Sequence, residues 1–177
     1  MRLKDFTSAL RMNKITFIEK RNEIGNIFVF EFKKPKELEW QAGQFGFFWF
    51  NKKKVKGKRV RFFTVASTSD EEKIMIATMI GPNPSSFKKN LLDLKPGEKM
   101  TMLGPMGWLY IHDYDRPTVL IAGGIGITPI RSMLKGIKGK KTNEIVVLYI
   151  DSRKQFPFKK ELMAISSDKI VISFLDN

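Results

Sequence analysis

Between Val119 and Ile130 the chain reads Val-Leu-Ile-Ala-Gly-Gly-Ile-Gly-Ile-Thr-Pro-Ile, an apolar run delivered into glycines and then into a proline-initiated helix. A short continuous apolar run bounded by turn residues makes a buried strand, and Pro suits the first helical turn, where an N–H would lack a partner anyway. A strand that passes straight into a helix leaves unpaired N–H groups and the positive end of the helix dipole at the turn. Glycines let an anionic phosphate approach that backbone closely, so Gly123, Gly124 and Gly126 with Thr128 and Pro129 form a competent pyrophosphate cradle. The spacing is not G-x-G-x-x-G, and a plain tight strand-to-helix turn accounts for the same residues.

The chain on either side of Arg116-Pro117 follows two different patterns. Upstream, residues 15–19, 27–32, 44–50, 61–67, 74–80 and 99–103 read as short strands separated by Gly, Pro and Lys-rich turns, with a short helix over 86–92. That pattern predicts an antiparallel barrel or sandwich with the helix crossing one end. Downstream, a strand over 118–122, a helix over 129–138, a strand over 144–150, a helix over 158–165 and a strand over 169–175 predict a half-built parallel sheet. The boundary falls near Tyr114 and divides the chain into 1–113 and 114–177.

Composition narrows the chemistry. There are 177 residues and no cysteine, which excludes disulfides, thiol nucleophiles and clusters held by cysteine alone. One histidine, His112, supplies no His-rich metal site and reads as a surface turn residue beside Asp113 and Asp115. Redox work therefore needs a bound organic cofactor. The formal charge of +14 draws anionic partners: acidic proteins, phosphates, nucleic acid or an anionic membrane. The lysine runs 52–58 and 138–141 are read as solvated loops. Residues 1–13 lack the apolar core of a signal peptide and no run reaches spanning length, so the expected location is the cytoplasm, with no membrane span.

Two further segments carry chemistry. In Arg61-Phe62-Phe63-Thr64, strand alternation places Arg61 and Phe63 on one face and Phe62 and Thr64 on the other. Arg61 can clamp a phosphate while Phe63 offers a flat surface to a ring system; Thr64 reaches a ring nitrogen only if the strand ends or twists there. An ordinary barrel strand with an edge arginine is the simpler reading. In Gly81-Pro82-Asn83-Pro84-Ser85-Ser86-Phe87, Ser85 or Ser86 caps the short helix, and the same N-terminus adds donors if it faces the phosphate at Arg61. The stretch Gly104-Pro105-Met106-Gly107 reads as a loop.

Taken in order, these segments resemble the ferredoxin-NADP reductase superfamily, whose members bind FAD, less often FMN, on an N-terminal Greek-key β-barrel and NAD(P)H on a Rossmann-like α/β domain behind it. The resemblance rests on Arg61, Phe63 and Thr64 filling the R-x-[YF]-[ST] strand and on Gly123 to Pro129 filling the G-G-x-G-x-T-P turn. It implies that Arg61 meets the flavin phosphate, Phe63 packs on the isoalloxazine, Thr64 lies near its reactive N5 as the catalytic residue, and Ser85, Ser86 and Phe87 seat the phosphates. Gly123, Gly124, Gly126, Thr128 and Pro129 then carry the pyrophosphate of NADH or NADPH. Asp176 leans toward NADH, whereas Arg153 and Lys154 offer cations to a 2'-phosphate.

The implied activity is hydride transfer from NAD(P)H to FAD and electron delivery to an acceptor such as ferredoxin or flavodoxin. The family's nucleotide domain continues into two further strands that this sequence lacks, so residues 119–122 are expected to form an uncovered sheet edge. The alternatives are a flavin-binding electron-transfer module without a complete NAD(P) site and a non-enzymatic basic barrel that binds nucleic acid.

Overall fold

The computed structural model describes residues 11–137 and 141–176. The N-terminal ten residues, and Lys138 to Lys140 of the second lysine run, lie outside the described residues, as does Asn177.

The first half is built on β1 (Met12–Ile24), β2 (Ile27–Lys33), β3 (Phe45–Phe50), β4 (Arg61–Thr64), β5 (Lys73–Met79) and β6 (Lys99–Met106), with helix α1 (Ser86–Leu92). These strands form one antiparallel sheet in the order β4-β3-β6-β1-β2-β5, the non-sequential order of a Greek key. Strand β4 ends earlier than the alternation predicts, and the reason is closure. The Val65 N–H still bonds the Gln44 carbonyl beside β3, but the next N–H, on Ala66, bonds Met75 on β5 at 2.7 Å. One residue thus draws the two edges of the curled sheet together. Its interior is aromatic: Phe30, Phe32, Phe48 and Phe87 are fully buried, each contributing roughly 2–3 kcal/mol of transfer free energy.

Two other elements are longer than expected. Strand β1 runs on through Lys20-Arg21-Asn22-Glu23 because that polar stretch pairs with β2, where Glu31 is buried between Arg21 at 2.6 Å and Lys73 at 2.7 Å. Strand β6 runs to Met106, so most of the expected Gly104–Gly107 loop is strand, entered through a cis Gly104-Pro105 bond.

The second half contains β7 (Thr118–Gly123), α2 (Ile127–Ile137), β8 (Ile145–Ile150), α3 (Lys159–Met163) and β9 (Ile170–Leu175), the three strands forming a parallel sheet in the order β7-β8-β9. The expected strand-helix alternation is present, and α3 is shorter than its apolar spacing suggests. The Tyr114 boundary lies between β6 and β7. The two halves share one apolar core: Val29, Ala66, Met75 and Ala77 of the first half pack into the same cluster as Met133, Leu134 and Tyr149 of the second. As expected, β7 pairs with β8 alone among the described strands and is an edge of this sheet. Val119 and Ile121 on it are 63% and 67% exposed.

Candidate functional site

Alternation on β4 sends Arg61 and Phe63 toward α1. The Arg61 guanidinium lies 5.9 Å from the centroid of the Phe87 ring, and Phe63 stands between Phe87 at 6.1 Å and Phe48 at 5.6 Å. A cation over one ring and a second ring beside it form a half-buried aromatic shelf with a positive rim. Among the described residues no carboxylate or carbonyl bonds the Arg61 guanidinium. A second cation stands close: Lys88 on α1 donates to the Met79 carbonyl at 2.6 Å, and burial, then the Arg61 charge, push its ammonium below the ordinary lysine value. Two cations of which neither meets a carboxylate define an anion-accepting corner.

The serines divide their work. Ser85 is the N-cap of α1, its hydroxyl accepting from the Lys88 N–H at 3.4 Å, whereas the Ser86 hydroxyl accepts from the Lys56 N–H at 3.2 Å. Ser86 therefore fastens the lysine-rich 51–60 loop to the start of α1. Thr64 is the last residue of β4, opposite Phe45, and only partly buried. The strand thus ends at the residue whose hydroxyl the sequence reading needed to turn, and the buried segment Val65 to Thr68 follows it at once.

The residues of the glycine turn are brought together between β7 and α2. Gly123 ends β7, Gly124 to Gly126 form a single 3-10 turn, and the Thr128 hydroxyl donates to the Ile125 carbonyl at 3.1 Å within the first turn of α2. Pro129 occupies the third helical position, inside the first helical turn, where a missing N–H costs little; the Ile127 N–H is already bonded to the Gly124 carbonyl. Gly124 has φ +49°, and a Cβ on it would lie 3.2 Å from Asp151 Oδ2. Gly123 and Gly126 differ: a Cβ on either would meet nothing within 4 Å, so their backbone faces open space.

Asp151 and Arg131 escaped the sequence reading. Asp151, buried at the end of β8, accepts from the Arg153 N–H at 2.8 Å and forms an ion pair with its guanidinium at 3.4 Å, fixing the floor beneath Gly124. Arg153 also donates to the Met79 sulfur at 3.1 Å, joining this floor to the first half. Arg131 on α2, fully buried, donates to the Ala66 carbonyl at 2.7 Å, grips Glu71 through two nitrogens at 3.0 and 3.1 Å, and reaches Glu161 at 2.6 Å. The helix that starts at the glycine turn is thereby tied to the backbone two residues beyond Thr64. A carboxylate immediately after an apolar strand was a signal for Asp151; a lone arginine in an apolar helix carried none.

The two hints about the nucleotide's 2' position are partners of each other: Lys154 and Asp176 pair at 2.7 Å, and their mutual hydrogen bond raises the lysine and lowers the carboxyl from their ordinary values. His112 is exposed, its ring 4.1 Å from that of Tyr110 and its Nε2 3.2 Å from the Trp108 carbonyl oxygen. No group of three or more potential metal ligands occurs among the described residues, and no helix among them is long and apolar enough to cross a membrane.

No family model matches the chain. It is 32% identical over 124 residues to a component of the Na(+)-translocating NADH-quinone reductase of Actinobacillus pleuropneumoniae, a match covering 63% of this chain and 30% of that protein. The chain thus spans about a third of that relative's length. Among solved structures, a ferredoxin-NADP+ reductase from Plasmodium falciparum superposes with a TM-score of 0.80 at 17% identity, covering 92% of this chain and 69% of that one. A flavohemoglobin from Malassezia yamatoensis with bound FAD and heme superposes with a TM-score of 0.76 at 17% identity, covering 97% of this chain and 48% of that one.

Proposed function

We propose that this chain, which has the two-part fold of the ferredoxin-NADP reductase superfamily, is a flavin-dependent electron-transfer oxidoreductase that holds FAD along β4 and takes reducing equivalents from NADH or NADPH at the 123–129 turn. The observation that carries the reading is Arg61: a cation without an anionic partner among the described residues, set over Phe87 and next to Lys88, on a strand that ends at a hydroxyl. That donor set fits a phosphate attached to a flat ring system, and so fits a flavin.

In this reading Arg61 and Lys88 neutralise the flavin phosphate and Ser86, with Ser85 holding the helix start, adds a polar contact. Phe63 and Phe87 give the ring system an apolar wall. The Thr64 hydroxyl, at the end of β4, would donate a hydrogen bond to a ring nitrogen of the flavin. Bound flavin supplies the chemistry of accepting a hydride and releasing its electrons singly or in pairs. Gly123 and Gly126 let the nucleotide pyrophosphate approach their open backbone, and Thr128 and Pro129 start the helix whose dipole favours it. Proton transfer by a side chain is not needed for hydride transfer, which agrees with a site without a His or Cys constellation. The +14 charge steers the protein toward an acidic acceptor such as a ferredoxin or flavodoxin.

A second reading is favoured by a specific feature, the edge position of β7 with Val119 and Ile121 exposed: the chain is a flavin-binding module whose nucleotide half is completed by other polypeptide. Visible absorbance separates the two. Purified protein is expected to show an oxidised-flavin band near 450 nm, roughly, that bleaches with NADH or NADPH under anaerobic conditions. A band that neither nucleotide bleaches selects the module, and a colourless protein that takes up neither FAD nor FMN overturns both.

A further inference from the structure

The outward face of the barrel sheet has the composition of an interior. Register places Met12, Leu103, Phe47 and Phe62 directly opposite one another on β1, β6, β3 and β4, a single apolar row across four strands. Met12 is 69% and Phe62 71% exposed, and the two between them are half-buried. Antiparallel sheets with one face on the core ordinarily carry polar residues on the other. The next row is Lys14, Thr101 and Trp49, and beyond it lies the 51–60 loop with Lys52, Lys54, Lys58 and Arg59. None of these loop cations has a carboxylate partner among the described residues. Across the paired stretches of these four strands, no outward position holds Asp or Glu.

We infer that this face docks the protein on an anionic lipid surface, with the Met12–Phe62 row at the acyl-headgroup boundary and the Lys14–Arg59 cations on the lipid phosphates. The order of residues across the face argues for lipid. Its centre combines Met and Leu with Phe and contains no group able to bond a base or a peptide. Its border holds Trp49 and Lys14 in one row, with the buried Thr101 between them, and tryptophan prefers the headgroup level of a bilayer. In the 51–60 loop Lys53 pairs with Glu98 at 3.0 Å, and each of the remaining cations Lys52, Lys54, Lys58 and Arg59 strengthens attachment to an anionic leaflet about fivefold. A nucleic acid would use stacking rings and leave Met12 and Leu103 idle; an acidic protein would call for polar groups within the face. The inference does not depend on the flavin reading.

The test is co-sedimentation of the protein as purified with phosphatidylcholine vesicles, with and without phosphatidylserine. Wild type is expected on the anionic vesicles only, with a blue shift of tryptophan emission that Trp49→Phe largely removes. Met12→Ser, at an exposed position three strands from Arg61, is expected to weaken vesicle binding about tenfold or more while leaving the melting temperature unchanged. Absence from anionic vesicles overturns the inference. So does attachment that salt removes and Met12→Ser does not alter, which is the generic attraction of a basic protein. Binding to single-stranded RNA or to an acidic protein that Met12→Ser weakens, where vesicle binding is unaffected, reassigns the face and overturns it as well.

Discussion

Two glycines of the 123–126 turn make opposite demands on a side chain. Gly124 combines a left-handed φ of +49° with a Cβ position 3.2 Å from Asp151 Oδ2, so Gly124→Ala strains the backbone and presses on the buried carboxylate under the turn. The expected cost is roughly 1–3 kcal/mol of stability, read as a lower denaturant midpoint with an unchanged slope. Gly126 has neither constraint, and a methyl there points into open space. Gly126→Ala is therefore expected to melt within a degree or two of wild type, and to weaken NADH or NADPH binding measured by calorimetry if phosphate approaches that backbone. Unchanged nucleotide binding in Gly126→Ala would move the pyrophosphate away from this turn. The glycine run itself was legible because type and order suffice to identify a turn. What separates its members was not, since Asp151 lies 27 positions away in sequence and reaches Gly124 only through the parallel pairing of β7 with β8.

At the scale of elements, the glycine turn and the end of β4 are registered by one guanidinium. Arg131 bridges α2, the Ala66 carbonyl, Glu71 and Glu161, and it stacks 5.2 Å from the Phe158 ring. Burial by itself would raise the Glu71 carboxyl, but the hydrogen bonds and charge of Arg131, with the Thr68 N–H, outweigh it and hold that carboxyl below its ordinary value. A carboxyl lowered in the folded state contributes stability in full above its unfolded pKa, about 4.3, and that contribution is lost as the pH falls through the folded value. Glu71→Gln is therefore expected to be less stable than wild type near neutral pH, by about 3 kcal/mol since it leaves Arg131 half-paired. The gap should close on acidification below the ordinary carboxylate range, as wild-type Glu71 protonates. Thermal melts of both proteins across that range test the sign, and a gap constant with pH would remove Glu71 from the clamp. None of this was readable in the sequence, where Arg131 lies among apolar neighbours and Glu71 in a charged turn 60 positions earlier. The strands and helices were readable because their periods are local. Where elements end was less so: β4 stops at Thr64 because Ala66 turns to Met75 on another strand.

At the scale of the whole molecule, the described residues cover the parallel sheet on one side only. Ile145, Val147 and Tyr149 of β8 are buried against the helices, whereas the alternate residues of all three strands, Val119 and Ile121 with Val146, Leu148, Val171 and Leu175, point away from that core. Sheets of parallel strands are normally buried on both faces, and an aliphatic face of this extent, beside an edge strand with unused backbone groups, attracts another apolar surface. The expectation that residues 119–122 form a sheet edge comes from the family resemblance, and among the described strands β7 pairs with β8 alone. The sequence did not reveal the open face, because a fully apolar strand reads the same whether one or both sides are packed. The chain by itself is expected to bind the dye ANS and to self-associate with rising concentration in sedimentation velocity. Val119→Thr with Ile121→Lys, both at exposed positions, should reduce both effects without lowering the melting temperature. A second polypeptide that completes the nucleotide half would suppress the same two signals in the wild type, and the substitutions would then weaken its capture. If wild type stays monomeric and dark with the dye at all concentrations, the face is satisfied by water, and the module reading loses the feature that supports it.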